Sequence, residues 1–206
     1  MTREHVRPRV VAGMMAVAIL AVLAVAPLSA SPLKIGDAAP NWSGLKGVDD
    51  KQHSLADYEK AKLVVVVFTC NHCPVAAAYE DRLIALQKEY GPKGVQFVAI
   101  NPNSPKKQPQ DSFEKMKERA SSKGFNFPYL VDATQDVAKQ YGATCTPHIF
   151  VLDKDRKVAY MGAIDDNMNA SKVKEPFLRN ALDALLQGEK PPKAVTKQFG
   201  CGIKWE

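Results

Sequence analysis

Residues 63–74 read Leu63-Val64-Val65-Val66-Val67-Phe68-Thr69-Cys70-Asn71-His72-Cys73-Pro74. Six apolar residues without a charge or a turn former describe a strand buried on both faces. The run stops at Thr69, and two cysteines follow with two residues between them. Behind them Ala76, Tyr79, Leu83, Leu86 and Tyr90 recur at three- and four-residue steps, which predicts a helix. Cys70 and Cys73 therefore fall where a buried strand passes to a helix N-terminus. Unpaired N–H groups and the positive end of the helix dipole favour anions there. A thiolate is such an anion, so the spacing predicts a depressed pKa for Cys70. This is the arrangement of a dithiol/disulfide redox centre. Cys70 attacks a substrate sulfur, and Cys73, one helical turn inward, resolves the mixed disulfide.

The 206-residue chain begins with an address. Arg3, Arg7 and Arg9 precede an apolar run from Val10 to Val25, and Ala26-Pro27-Leu28-Ser29-Ala30 closes it with small residues. That is the layout of a secretory signal peptide over residues 1–30, cleaved after Ala30, with an uncleaved anchor as the alternative. No Arg-Arg pair marks the twin-arginine route, and no cysteine near the cleavage point marks a lipoprotein. Export places residues 31–206 where disulfides persist. All four cysteines (Cys70, Cys73, Cys145 and Cys201) lie there. The formal charge is +6, but the lysines are scattered and no aromatic residues interleave with them. A solvated surface explains them, and nucleic acid is not an expected partner.

The rest divides by pattern. Trp42 to Val48 reads as a short strand, Asp49-Asp50-Lys51 as a turn, and Gln52 to Ser54 as a strand pairing back. Ser54 caps a helical turn through Tyr58. After the first helix, Tyr90-Gly91-Pro92-Lys93-Gly94 is a stop, and Val95 to Ile100 is a second buried strand. Asn101 to Pro109 is rich in Pro, Asn, Ser and Lys and reads as an exposed loop. Asp111 or Ser112 caps a helix to about Lys123. Phe127 to Val131 is a short strand, and Gln135 to Tyr141 a helix. Ile149 to Leu152 and Val158 to Gly162 form a hairpin across Asp153-Lys154-Asp155-Arg156, and Lys174 to Gln187 is an amphipathic helix. Residues 189–206 have no period, yet Phe199, Cys201, Ile203 and Trp205 make them too apolar for a free tail. Strand–helix alternation gives a parallel segment, to which the hairpin adds antiparallel strands.

This order, with Cys70-Asn71-His72-Cys73, resembles the thioredoxin fold over nearly all of residues 31–206. The opening Gly36-Asp37-Ala38-Ala39-Pro40-Asn41-Trp42 resembles the redoxin branch, which includes the alkyl hydroperoxide reductase/thiol-specific antioxidant proteins. Thr146-Pro147 resembles the family's cis-proline, which packs against the dithiol and leaves an extended edge for a substrate peptide. The closing Gly200-Cys201-Gly202-Ile203-Lys204-Trp205 resembles tails of secreted bacterial redoxins of unassigned substrate. The resemblance implies an α/β fold with a central mixed sheet flanked by helices. The domain over residues 31–188 opens with an N-terminal redoxin-type extension, and a docked tail over 189–206 follows it. A histidine at position 72 resembles the dipeptides of oxidising members; its positive charge favours the thiolate and raises the reduction potential. Two features depart from thioredoxin itself. Thr69 replaces a tryptophan, and Val64 replaces a buried aspartate that accepts a proton. Glu80 is a candidate acceptor, although its helical position suits a surface role better.

The function this implies is thiol–disulfide exchange with protein thiols and disulfides outside the cytoplasm. The chain is a monomer served by a separate redox partner, and it needs no metal or organic cofactor. It meets the membrane only if the leader is retained. Cys145 and Cys201 read as a structural disulfide tying the tail down, with a second redox pair as the alternative and a free, buried Cys145 as a third. A thiol peroxidase is the competing enzyme, but such enzymes place a threonine three residues before the reactive cysteine, where this chain has Val67 before Cys70 and Cys70 before Cys73. A copper-binding metallochaperone, with Cys70, Cys73 and His72 or His148 as ligands, is the competing reading from another class. Asp165-Asp166-Asn167 reads as a turn rather than a cation site.

Overall fold

The computed structural model describes residues 1–2 and 32–206; the apolar run read as a leader lies outside the described residues. Everything is arranged about β3 (Leu63–Phe68), all six residues of which are buried. A strand with both faces covered needs a hydrogen-bonded neighbour on each side and a layer of packing above and below. β4 (Val95–Asn101) pairs with it in parallel, Val66 facing Val98. β7 (His148–Leu152) pairs antiparallel on the other side, Val66 facing Phe150. β5 (Tyr129–Val131), β1 (Leu45–Gly47) and β2 (Gln52–His53) extend the sheet beyond β4, and β8 (Val158–Gly162) extends it beyond β7. The order is β2-β1-β5-β4-β3-β7-β8, parallel only at β3–β4–β5.

Alternate residues of β3 feed two cores, as the period of a strand requires. Leu63, Val65 and Val67 meet Tyr79, Leu83, Leu86 and Tyr90 of α1 (Pro74–Tyr90), Met116 of α2 (Phe113–Lys123) and Leu178 and Leu182 of α4 (Phe177–Leu186). Val64, Val66 and Phe68 meet Trp42, Leu55, Val137 and Tyr141, the last two from α3 (Asp136–Tyr141). The apolar stripe read for α1 is buried throughout.

Several elements are shorter than their patterns. The first strand spans Leu45–Gly47 rather than Trp42–Val48, and Trp42 serves the core instead. α4 begins at Phe177 because a residue before a proline, here Glu175 before Pro176, is pushed out of the helical region. The loop after β4 departs most from its pattern: Asn101, Asn103 and Ser104 are buried, not exposed. Asn101 Oδ1 accepts the Asn103 N–H at 3.0 Å, and Ser104 N–H donates to the Lys204 carbonyl at 2.9 Å. Polar residues are buried here because the tail satisfies them.

The tail first runs beside β8, where Met161 N–H donates to Ala194 O and Thr196 N–H to Met161 O, both at 3.0 Å. Gly162 at φ 137° permits the approach, since a Cβ would lie 2.3 Å from Thr196 O. The tail then forms β9 (Cys201–Gly202), antiparallel to β6 (Cys145–Thr146). Ile203 is buried, and Phe199 meets the Tyr79 ring edge-on at 5.9 Å. Trp205, read as a third anchor, is exposed.

His148 sits opposite Phe68, 6% exposed, with its ring 4.6 Å from that of Phe150 and Nδ1 unpartnered. Burial lowers its pKa to about 4. The unfolded chain therefore binds a proton at this residue as pH falls below about 6.5, and the folded chain does not until about pH 4. Stability should decline across that window, and His148→Leu should decline less between pH 7 and pH 4.5 in urea titrations. Equal losses would show that His148 does not carry the effect.

Candidate active site

Thr69 leaves β3 with its N–H bonded to Ile100 O, and the chain turns across the end of the sheet through Cys70, Asn71 and His72. Cys73 is the N-cap of α1 and Pro74 its first residue, a position where the missing N–H costs nothing. The dithiol is therefore held by a strand end and a helix start. The Thr146–Pro147 peptide is cis and faces it. Thr146 Oγ1 lies 3.0 Å from Cys70 Sγ, and Thr146 O accepts from Cys73 Sγ at 3.2 Å. Both sulfurs are buried, Cys70 at 2% exposure.

An acid read only as a helix cap organises the other side. Asp111, 1% exposed, accepts the Asn71 N–H at 2.7 Å and the His72 N–H at 3.2 Å on Oδ1. Its Oδ2 accepts from His72 Nδ1 at 2.6 Å and from Asn103 Nδ2 at 2.8 Å. A carboxylate only accepts, so His72 carries its proton on Nδ1. That same Nδ1 lies 3.4 Å from Cys70 Sγ. Asn71 is fixed further by Tyr129 OH at 3.0 Å and Gln110 O at 2.9 Å. Ser112 is the actual cap of α2, through Lys115 N–H. Asp111 and Asn103 were not legible as site residues, because they lie 30 to 40 positions from His72 in a loop whose composition suggests solvent.

The charge of the pair differs from the expectation. The helix starts at Pro74, so its donors reach Cys73 rather than Cys70. The neighbouring Cys70 thiol, the Cys201 thiol and the Ala76 N–H hold the Cys73 pKa well below the ordinary thiol value. Donation to Cys73, burial and the Asp111 carboxylate push Cys70 up. Proton loss is thus favoured at Cys73 and opposed at Cys70, the Cys73 bond to Thr146 O belonging to the thiol form.

The expected Cys145–Cys201 bridge is absent: all four cysteines are free thiols. The β6–β9 register gives the reason. Cys201 is opposite Thr146, and Cys145 opposite Gly202. Neighbouring residues of a strand point to opposite faces, so Cys201 shares the Thr146 face with the dithiol, and Cys145 Sγ turns back toward Pro147 O at 3.6 Å. Glu80 is not a surface residue, contrary to the expectation from its helical position. It is 4% exposed and grips Arg119 through two bonds, at 2.7 and 2.8 Å. Asp165 accepts from Tyr79 OH at 2.7 Å and pairs with Arg82, and Asp166 accepts two backbone N–H groups, as a turn requires.

Among the described residues, one trio of ligand-type atoms lies within 4.8 Å: Cys70, His72 and Asp111. His148 and Cys73 of the copper reading are outside it. Two donors held at about 2.0–2.1 Å by one tetrahedral ion sit more than about 3 Å apart, whereas Nδ1 and Oδ2 are at hydrogen-bond distance, 2.6 Å. The trio is a hydrogen-bonded network.

The profile of the AhpC/TSA family matches residues 35–161. The chain belongs to that family. It is similar to the thiol-disulfide oxidoreductase ResA of Geobacillus thermodenitrificans, with 31% identity over 127 residues. The match covers 60% of this chain and 66% of that one, just under two thirds of the relative's length. The structure superposes on an uncharacterised conserved protein of Geobacillus kaustophilus with a TM-score of 0.80 and 41% identity, covering 84% of this chain and 93% of the other. Peroxidoxin BcpB of Mycobacterium tuberculosis, at 24% identity and a TM-score of 0.59 over 76% of this chain and 97% of its own, shares the fold. This AhpC/TSA chain thus has the thioredoxin fold, a mixed sheet between helices. No helix among the described residues is long and apolar enough to cross a membrane.

Thiolate absorbance should therefore persist in the reduced protein at pH 7 and fade as acid protonates Cys73. Cys73→Ser should abolish it and Cys70→Ser should not. The opposite pattern would put the anion on Cys70.

Proposed function

We propose that the protein is a thiol–disulfide oxidoreductase that acts through Cys70 and Cys73 on protein substrates outside the cytoplasm. The observation that carries this reading is the placement of the two sulfurs: both are buried at the end of β3 against the residue before the cis-proline, Cys70 Sγ 3.0 Å from Thr146 Oγ1 and Cys73 Sγ 3.2 Å from Thr146 O. The activity in the name of the Geobacillus thermodenitrificans relative supports it, and the signal-like leader supports export.

The chemistry balances as an exchange. Cys70 attacks one sulfur of a substrate disulfide as the thiolate, its proton passing to the other substrate sulfur as that leaves. Cys73, already a thiolate, then attacks Cys70 Sγ and closes the intramolecular disulfide. The second substrate sulfur departs as a thiolate, so the substrate gains two electrons and the pair loses them. Thr146 holds Cys70, and β6 is the edge beside Pro147 where an extended peptide pairs once β9 leaves it. Asp111 keeps His72 oriented over Cys70, where the imidazole N–H steadies charge developing on that sulfur. Val67, where a peroxidase has its threonine, is an aliphatic residue of the buried β3 and offers no donor.

Insulin reduction with a dithiol donor tests the assignment. Cys70→Ser and Cys73→Ser should both fall to the rate of the donor alone, and Cys73→Ser should accumulate a mixed disulfide with substrate. Full activity in Cys70→Ser would refute the assigned nucleophile.

A further inference from the structure

Three features of the tail converge on the dithiol. First, β9 lies on the β6 edge, with Cys201 directly opposite Thr146, the residue that holds both site sulfurs. This is the edge on which a substrate peptide is expected to pair, so Cys201 stands where a substrate cysteine would. Second, the docking is close. A Cβ on Gly200 would fall 2.1 Å from Thr146 O and 3.0 Å from Pro147 N. Third, the Cys201 side chain packs on the Cys70–Cys73–Ala76 cluster. Its own exposure differs from that of the other thiols. Cys70, Cys73 and Cys145 are buried, and Cys201 is part-exposed. Of the described cysteine sulfurs, it is the one that packs on the buried pair and also meets solvent.

We infer that Cys201 is a third redox thiol of the site, exchanging with the Cys70–Cys73 disulfide and passing its oxidising equivalent to an external dithiol. The inference rests on the proposed redox role of that pair. Cys201, as the thiolate, attacks Cys73 Sγ. The Cys70–Cys73 bond breaks as the Cys73–Cys201 bond forms, and Cys70 leaves with the electron pair and takes the proton that Cys201 gave up. No net oxidation occurs in this step. A thiolate of the redox partner then attacks Cys201 Sγ from the solvent side, and Cys73 leaves as the thiolate that its neighbours stabilise. The partner's second thiol attacks its own bonded sulfur and releases Cys201. The partner dithiol becomes a disulfide, and the protein regains its reduced pair. Cys70 thus meets the substrate and Cys201 meets the partner that recharges the pair.

Burial makes such a division useful. A sulfur at 2% exposure can be attacked only if the tail leaves, whereas Cys201 is reachable with the tail in place. Burial and the neighbouring Cys73 push the Cys201 thiol up, which favours its protonated form at rest.

The test is trapping in the full chain. Cys70→Ser/Cys145→Ser protein leaves Cys73 and Cys201 as the two thiols. Under diamide it should lose two hydrogens in mass, and non-reducing peptide mapping should join the two cysteine peptides within one chain. Cys145→Ser/Cys201→Ser protein, treated in parallel, reports on the pair itself. A Cys70–Cys73 disulfide there, with Cys73 and Cys201 still free in the first variant, would overturn the relay and leave the pair intact. No disulfide in either would overturn the redox reading altogether. Cys70→Ala/Cys145→Ala replaces the first variant if the serines unfold it. As a kinetic readout, Cys201→Ser should slow the reduction of oxidised protein by external dithiol. An unchanged rate would also count against the relay.

Discussion

The double burial of β3 governs the rest of the structure. Six consecutive residues without solvent on either face demand pairing with β4 and β7 at the edges and helices on both sides. A chain leaving such a strand emerges at the rim of the sheet, between layers, where backbone groups lose their ladder partners. The two cysteines sit at that rim, and α1 begins there with Cys73 as its cap. The reactive sulfurs are thus placed by core packing, and the polar residues around them only refine the position.

Asp111 is the main refinement. One buried carboxylate meets two main-chain N–H groups, an imidazole and an amide, and so fixes the Asn71-His72 turn that separates the cysteines. Leaving any of those donors unpaired would cost about 1–3 kcal/mol. The same carboxylate presents negative charge toward Cys70, so the histidine proton is committed to Asp111 and only secondarily to the sulfur. His72 therefore reaches Cys70 as part of a hydrogen-bonded pair with Asp111. The helix N-terminus compounds this by stabilising Cys73 instead.

Local pattern was informative wherever one element decides the outcome. The valine run, the α1 stripe and the hairpin at Asp153–Arg156 were all legible, because period and turn chemistry act within a few residues, and the cis-proline beside the dithiol followed from the resemblance to the thioredoxin fold. What depends on two distant segments was not. Asp111 and Asn103 reach His72 only once β4 and α2 are packed, and a loop rich in Asn and Pro looks solvated until the tail closes over it. The partner of Cys201 depends on register, and a slip of one residue turns a side chain to the other face. Spacing alone paired it with Cys145, whereas the ladder turns it to Cys73. The tail's apolar residues signalled docking without saying which of them docks: Ile203 is buried and Trp205 is not.

The central claim is that Cys70 and Cys73 form a reversible two-electron couple at the end of β3. Its most direct test is the redox equilibrium of Cys145→Ser/Cys201→Ser protein in glutathione buffers of graded poise, read by alkylation and mass. The account predicts a single dithiol–disulfide transition within the span of thioredoxin-fold couples, from about −270 to −120 mV. A pair that stays as thiols through the most oxidising buffer, or that joins only between chains, would contradict it.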